Sequence, residues 1–171
     1  MAIEKPEYRV LSTANGIEIR DYQEHWLAEC NVEDINDLRT ASSSAFNRLF
    51  NYISGHNEPG QKIAMTSPVQ QVKSATGWRV SFVVPSSFKP EEIPVPLHSS
   101  IKLKKVVAGK FAAIRYRGSW NNEVFEAKTK ELMSALESLK MKPIDEVSSA
   151  VYNPPFTPPP LRRNEVIVRI S

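Results

Sequence analysis

Cysteine is almost missing from this chain. Cys30 stands alone among 171 residues, so no internal disulfide can form and no thiolate cluster can hold a metal. Histidine is nearly as scarce: His25, His56 and His98 are the full set, and no two stand at a metal-ligand spacing. No apolar run approaches the roughly 18 residues needed to span a bilayer, and the opening MAIEKPEYRV lacks the apolar centre of a secretory signal, so the expected compartment is the cytoplasm. Charge of one sign is lacking too. The 22 Lys and Arg against 19 Asp and Glu give a net +3, spread along the chain apart from short clusters such as Lys102 to Lys105. That cluster alternates with Ile101 and Leu103 and reads as a half-buried edge strand whose lysines oppose aggregation, so neither a nucleic-acid partner nor membrane insertion is expected.

The chemistry of catalysis is also thin. No serine or cysteine is placed beside a histidine base by any motif, no glycine loop is built to cradle phosphate, and no carboxylate pair has a glycosidase-like setting. Arg162-Arg163-Asn164-Glu165 sets a carboxylate beside guanidinium groups, but alternation of faces at a strand entry makes it a strand-entry network, in which Glu165 pairs with a basic residue on a neighbouring strand or caps the loop amides. The chain is not expected to be an enzyme.

What is present is a 41% hydrophobic chain of one-domain length with a repeated plan. Tyr8 to Ala14, the turn Asn15-Gly16 and a long strand from Ile17 predict a hairpin. Ile101 to Val107 and Phe111 to Arg117, flanking Gly109, predict a second. Each is followed by one amphipathic helix, about Asp34 to Ser54 and Asn121 to Lys140. Two further strands follow each helix: Lys62 to Lys73 and Trp78 to Val84, then Val147 to Asn153 and Glu165 to Ile170. Pro85 to Pro96 links the halves. The expected fold is α+β, a single domain over 1–171 with ββαββ repeats at about 8–85 and 101–171.

The helices differ. The second carries one apolar stripe, from Phe125 to Leu139. In the first, Leu38, Ala41, Ser42, Ala45, Leu49, Tyr52 and Ile53 make the corresponding stripe, yet at ~100° per residue Phe46 and Phe50 fall outside its centre, on a seam with Arg39 and Ser43. Two readings stand. Phe46 and Phe50 form the wall of a groove whose opposite lip is the proline loop with Phe156 and Leu161, or Phe50 packs beneath that loop as a satellite core. In the loop, Pro154, Pro155, Pro158, Pro159 and Pro160 remove five backbone donors and stiffen the crossing; Phe156 and Leu161 are expected to pack it down, which would hide PPFTPPP from a polyproline-reading partner.

Three segments carry a resemblance. YRVLSTANGIEIRDY at Tyr8 to Tyr22, YISGHNEPGQKIAMTSPV at Tyr52 to Val69, and YNPPFTPPPLRRNEV from Tyr152 together resemble the SOUL haem-binding protein family along nearly the whole chain. The resemblance implies a distorted β-barrel of two ββαββ repeats with two long helices, and binding of haem or a related tetrapyrrole along the first helix and the loop before the last strand. Without a CxxCH motif, such a haem is held noncovalently. Vertebrate members place cationic side chains where this chain has Ser43, Asn51 and Thr157, so Arg39, Arg48, Arg162 and Arg163 are the cations left for the propionates. His56, at the end of the first helix, is the candidate axial ligand, or simply a partner of the helix dipole; Met65 is a second thioether candidate, or core. The alternative ligand class, suggested by the architecture of effector-binding domains, is a small apolar or cationic compound, and an acidic residue deep in a groove would favour it. Buffering or delivery of the ligand is the role implied.

Overall fold

The structure, a computed structural model, describes residues 3–171; Met1 and Ala2 lie outside them. The elements follow as β1 (Tyr8–Ala14), β2 (Ile17–Tyr22), β3 (His25–Glu33), α1 (Leu38–Ile53), β4 (Asn57–Glu58), β5 (Val69–Lys73) and β6 (Gly77–Val83). The second half runs β7 (Val95–Pro96), β8 (Ile101–Val106), β9 (Gly109–Tyr116), α2 (Asn122–Ser138), β10 (Ser148–Val151) and β11 (Asn164–Arg169). Nine strands form one antiparallel sheet in the order β1-β2-β9-β11-β10-β5-β6-β3-β8, curled into a half-barrel, while β4 and β7 pair separately. The α+β class expected from the sequence is the one found.

Both helices begin where a side chain caps them. Asp37 accepts from the Thr40 amide at 2.9 Å and Asn121 from the Val124 amide at 2.9 Å, satisfying donors that a helix start leaves open. The helices then lean on each other at these ends. The Leu38 amide donates to Asn122 Oδ1 at 2.6 Å, and Asn122 Nδ2 and Trp78 Nε1 both donate to the Asn36 carbonyl, at 2.8 and 2.9 Å. Below, α1 packs on β3 and β6 and α2 on β9 and β11, enclosing one core in which Trp78 meets Phe125 edge-on at 5.8 Å.

Strand connectivity departs from the expected plan in two places. The long strand from Ile17 breaks at Gln23 and Glu24, where the Gln23 amide turns to the Glu7 carbonyl at 3.0 Å, and its two pieces go to distant places in the sheet. The second hairpin does not form. β8 pairs with β3 from the first half, while β9 pairs with β2 and β11. Gly109 is therefore not a hairpin turn. It opens β9, with the Arg169 guanidinium 2.3 Å from where a Cβ would stand. Each half thus lends its leading strand to the other, β2 to β9 and β8 to β3, and Asn15-Gly16 with its two positive φ angles makes the true β1–β2 hairpin.

The sheet face turned away from the helices carries a polar cluster that ties these exchanges together. Arg20 on β2 reaches over β9 to Glu165 on β11 in a bidentate pair, 2.8 and 2.6 Å, with both side chains essentially inaccessible. Glu18, Tyr22, Tyr152, Arg163 and Tyr8 complete the cluster. Arg163 donates to Glu165 at 3.1 Å and to the Tyr8 hydroxyl at 3.0 Å, and stacks on Tyr152 at 3.9 Å. Between Arg20 and Glu165, β9 presents Ala113, midway in register between Phe111 and Arg115, so no larger side chain blocks the reach. Burial by itself pushes the Glu165 carboxyl up. The hydrogen bonds and charge of Arg20, the charge of Arg163 and the Tyr152 hydroxyl together outweigh it and hold the carboxyl below its ordinary range. Tyr22 is pushed up to about 12, chiefly by burial.

Protonating or unpairing Glu165, or adding a Cβ at Gly77, is expected to weaken the fold. A depressed native carboxyl stabilises the fold fully above the ordinary glutamate value of 4.5 and loses that contribution as pH falls through the lower native value, so acid unfolding of the wild type has a limb there. Arg20→Met, which takes the bidentate partner from a buried carboxylate and leaves it only Arg163 and Tyr152, is expected to cost about 3 kcal/mol in urea unfolding at pH 7, and Arg20→Met/Glu165→Leu to recover part of it. Gly77→Ala places a Cβ 2.0 Å from the Val32 carbonyl oxygen, backbone that cannot swing aside. A loss of about 2 kcal/mol or more is expected, against a smaller loss for Gly118→Ala, whose Cβ meets nothing within 4 Å but whose φ is +92°.

Candidate functional site

α1 buries one stripe and leaves another outside. Leu38, Ala41, Ala45 and Leu49 are fully buried on the sheet, while Arg39, Ser43, Phe46 and Phe50, spaced four, three and four residues apart, all face solvent. Phe46 is 38% and Phe50 50% exposed. Their rings stack at 5.9 Å with an interplanar angle of 15°, and Phe46 rests edge-on against Phe82 of β6 at 5.5 Å, which fixes the pair to the core. The alternative in which Phe50 is covered by the loop is not what the structure holds. At the other end of the stripe the Arg39 guanidinium sits 5.7 Å from the ring of Trp120, a residue that sequence periodicity did not single out because it lies in the turn before α2.

The proline loop is built differently from expectation. Phe156 is 87% and Leu161 72% exposed, so neither packs it down. Polar bonds hold it instead: Thr157 N–H to the Pro154 carbonyl at 3.0 Å, Leu161 N–H to Pro158 at 2.9 Å, and Gly118 N–H to Pro159 at 3.0 Å. Arg162 closes the loop from within, donating to the Thr157 carbonyl at 2.9 Å and the Pro155 carbonyl at 3.3 Å. These turns, with a 3₁₀ turn over Pro159–Leu161, break the extended run that a polyproline-reading domain requires. Among the described residues, no hydrogen bond or ring contact joins Phe46 or Phe50 to Phe156 or Leu161.

The four candidate arginines divide accordingly. Arg162 is committed to the loop and Arg163 to Glu165 and Tyr8, while Arg48 lies on the other flank of α1, 3.5 Å from Ser100 Oγ. Arg39 is the one beside the aromatic stripe. His56 is exposed just past the helix, after Gly55 turns the chain at φ 121° and the His56 amide bonds the Asn51 carbonyl at 2.9 Å. Met65, expected in the core, is 37% exposed, because the chain from residue 62 to 68 runs outside the sheet before β5 starts at Val69.

One pairing escaped the sequence. His98 Nδ1 lies 2.7 Å from Ser100 Oγ, yet the same nitrogen also accepts the Ser100 amide at 3.1 Å, so its lone pair is already engaged and it is a poor base for that hydroxyl. No group of three or more His, Cys, Asp or Glu side chains able to hold a metal occurs among the described residues, and no described helix is long and apolar enough to cross a membrane.

Solved structures share the fold at low identity. The EcmrR C-terminal domain superposes with a TM-score of 0.68 at 10% identity, covering 96% of this chain and 98% of that one. A hydrolase from Listeria innocua gives 0.61 at 10% identity over 94% of each chain, and SAV2435 bound to tetraphenylphosphonium gives 0.53 at 8% identity over 96% and 94%. No curated protein matches. A family model described as SOUL heme-binding protein matches residues 3–169, which is nearly every residue of the sheet and both helices. The chain belongs to the SOUL heme-binding protein family.

Proposed function

We propose that this chain binds haem or a related tetrapyrrole reversibly and noncovalently on the outer stripe of α1, with no catalytic step, in a buffering or delivery role. The observation that supports this most is the parallel Phe46–Phe50 stack, half exposed and braced from below by Phe82. Two nearly parallel rings, each partly exposed and braced from below, offer an apolar patch that a planar macrocycle covers at little ordering cost. Arg39, four residues before Ser43 on the same stripe, supplies a cation for a propionate. The magnitudes fit reversibility. Covering the exposed parts of both rings is worth roughly 4 kcal/mol on the protein side, and a similar gain on the ligand less the cost of association leaves an affinity of about micromolar or weaker. No buried imidazole stands beside the stripe, so His56 is the axial candidate only as a solvent-exposed side chain, and the hold rests on apolar contact.

The effector-binding reading, for a small apolar or cationic ligand, draws on the shared fold of the EcmrR domain and of SAV2435, the latter bound to tetraphenylphosphonium. Its requirement was an acidic residue deep in a groove. Glu165 is deep, but two guanidinium groups already take its charge, which disfavours a cation there.

A haem titration followed at the Soret band tests the proposal. Saturable one-to-one binding is expected, weakened at least about ten-fold by Phe50→Asp. Arg39→Ala is expected to weaken haem a few-fold and haem dimethyl ester not at all, since the ester carries no propionate charge. Equal binding by wild type and Phe50→Asp would remove the site from α1.

A further inference from the structure

A cavity of about 540 Å3, a volume suited to a small organic molecule, is lined by residues 4–7 together with the entry of β3 and the chain that follows β6. Its apolar surface comes from Trp26 and Phe88, both packed against the main core, over the buried side chains of Val83, Val84 and Ile93. The covering segment is fixed rather than loose. Ser67 N–H donates to the Glu4 carbonyl at 3.0 Å, Ser86 N–H to Glu4 Oε2 at 2.8 Å, and Gln23 N–H to the Glu7 carbonyl at 3.0 Å.

The polar rim has a definite sign. Glu4, Glu7 and Glu24 line the cavity against Lys5 alone, and although Lys105 pairs with Glu24 from outside at 3.3 Å, an excess of negative charge remains on a chain whose net charge is +3. The His25 ring turns from Trp26 toward Tyr22, 6.1 Å away, with Nδ1 donating to the Gln23 carbonyl at 2.9 Å. Burial, and after it the nearby charge of Arg169, lowers the His25 pKa. The indole N–H of Trp26 is buried without an acceptor.

Aromatic faces under a carboxylate rim, with no arginine in the lining, are complementary to a cation whose charge is spread over an aromatic body. We propose that this cavity is a second ligand site, separate from the α1 stripe, that takes a small aromatic cation. Trp26 and Phe88 stack on the ring system, and Glu4 and Glu7 answer its charge.

Titration of the 171-residue chain with proflavine, a planar aromatic cation, tests this, with anilinonaphthalene sulfonate as the aromatic anion of comparable size. Saturable one-to-one proflavine binding is expected, accompanied by tryptophan quenching that Trp26→Phe removes without removing the binding. Glu4→Gln/Glu7→Gln keeps an acceptor for the Ser86 amide, so it is expected to melt with the wild type while binding proflavine roughly five- to ten-fold more weakly. Phe50→Asp is expected to leave proflavine binding unchanged. The proposal is overturned by absence of saturable binding, by equal affinity for the anion, by an unaltered affinity in the double glutamine variant, or by loss of proflavine in Phe50→Asp.

Discussion

The reach of Arg20 across β9 to Glu165 is the contact on which the architecture turns. Pairing β2 with β9 and β8 with β3 makes one sheet of two halves, but hydrogen-bond ladders alone do not fix which strand stands where. A buried bidentate ion pair does, because any slip of β2 by one residue turns Arg20 to the helix face and takes from Glu165 its bidentate partner, leaving a buried carboxylate with Arg163 as its one remaining cation. Such a pair contributes little net stability compared with apolar packing, so its value here lies in specifying register. Tyr8, Tyr22 and Tyr152 surround it and exclude water, and their hydroxyls fill the remaining bonding capacity of the guanidinium groups and the carboxylate.

This arrangement also bears on where a ligand could sit. The face that a half-barrel would offer as a ligand cleft is occupied by paired charges, which leaves the outer stripe of α1 and the concavity under the N-terminal segment as the two surfaces proposed for ligands. α1 is suited to the first role because its inner stripe is so well buried. Ala41 and Ala45 let it sit close to β3 and β6, which lifts Phe46 onto Phe82 and leaves both outer rings at the surface without loss of anchoring.

Local chemistry was readable in the chain, and non-local pairing was not. Asn15-Gly16 announced its hairpin because a two-residue turn is decided by its own φ preferences. The helices were visible from periodicity, though each proved shorter once Asp37 and Asn121 were seen to cap it. The position of Phe46 and Phe50 off the buried stripe was equally legible, since it depends only on 100° per residue. Gly109 looks like the turn of a β8–β9 hairpin, yet the two strands it would join find their partners elsewhere, β8 on β3 and β9 on β2 and β11, which no local signal encodes. Phe156 and Leu161 look like packing anchors on composition alone. They point outward because Arg162 supplies the loop with the bonds that burial would otherwise have to replace, and nothing in the sequence says that this arginine turns back on the loop.

The exchanged leading strands bear on how the chain is made. Cys30 waits for Ile101 and Ile19 for Ala112 before either edge is covered, so most ladder contacts join residues far apart in sequence, a topology that folds slowly. During synthesis the first half emerges with α1, β3, β5 and β6 in hand, yet its β3 edge and one side of β2 stay open until the second half arrives. A chain cut between β6 and β8 yields two fragments, each of which lacks strands that the other carries.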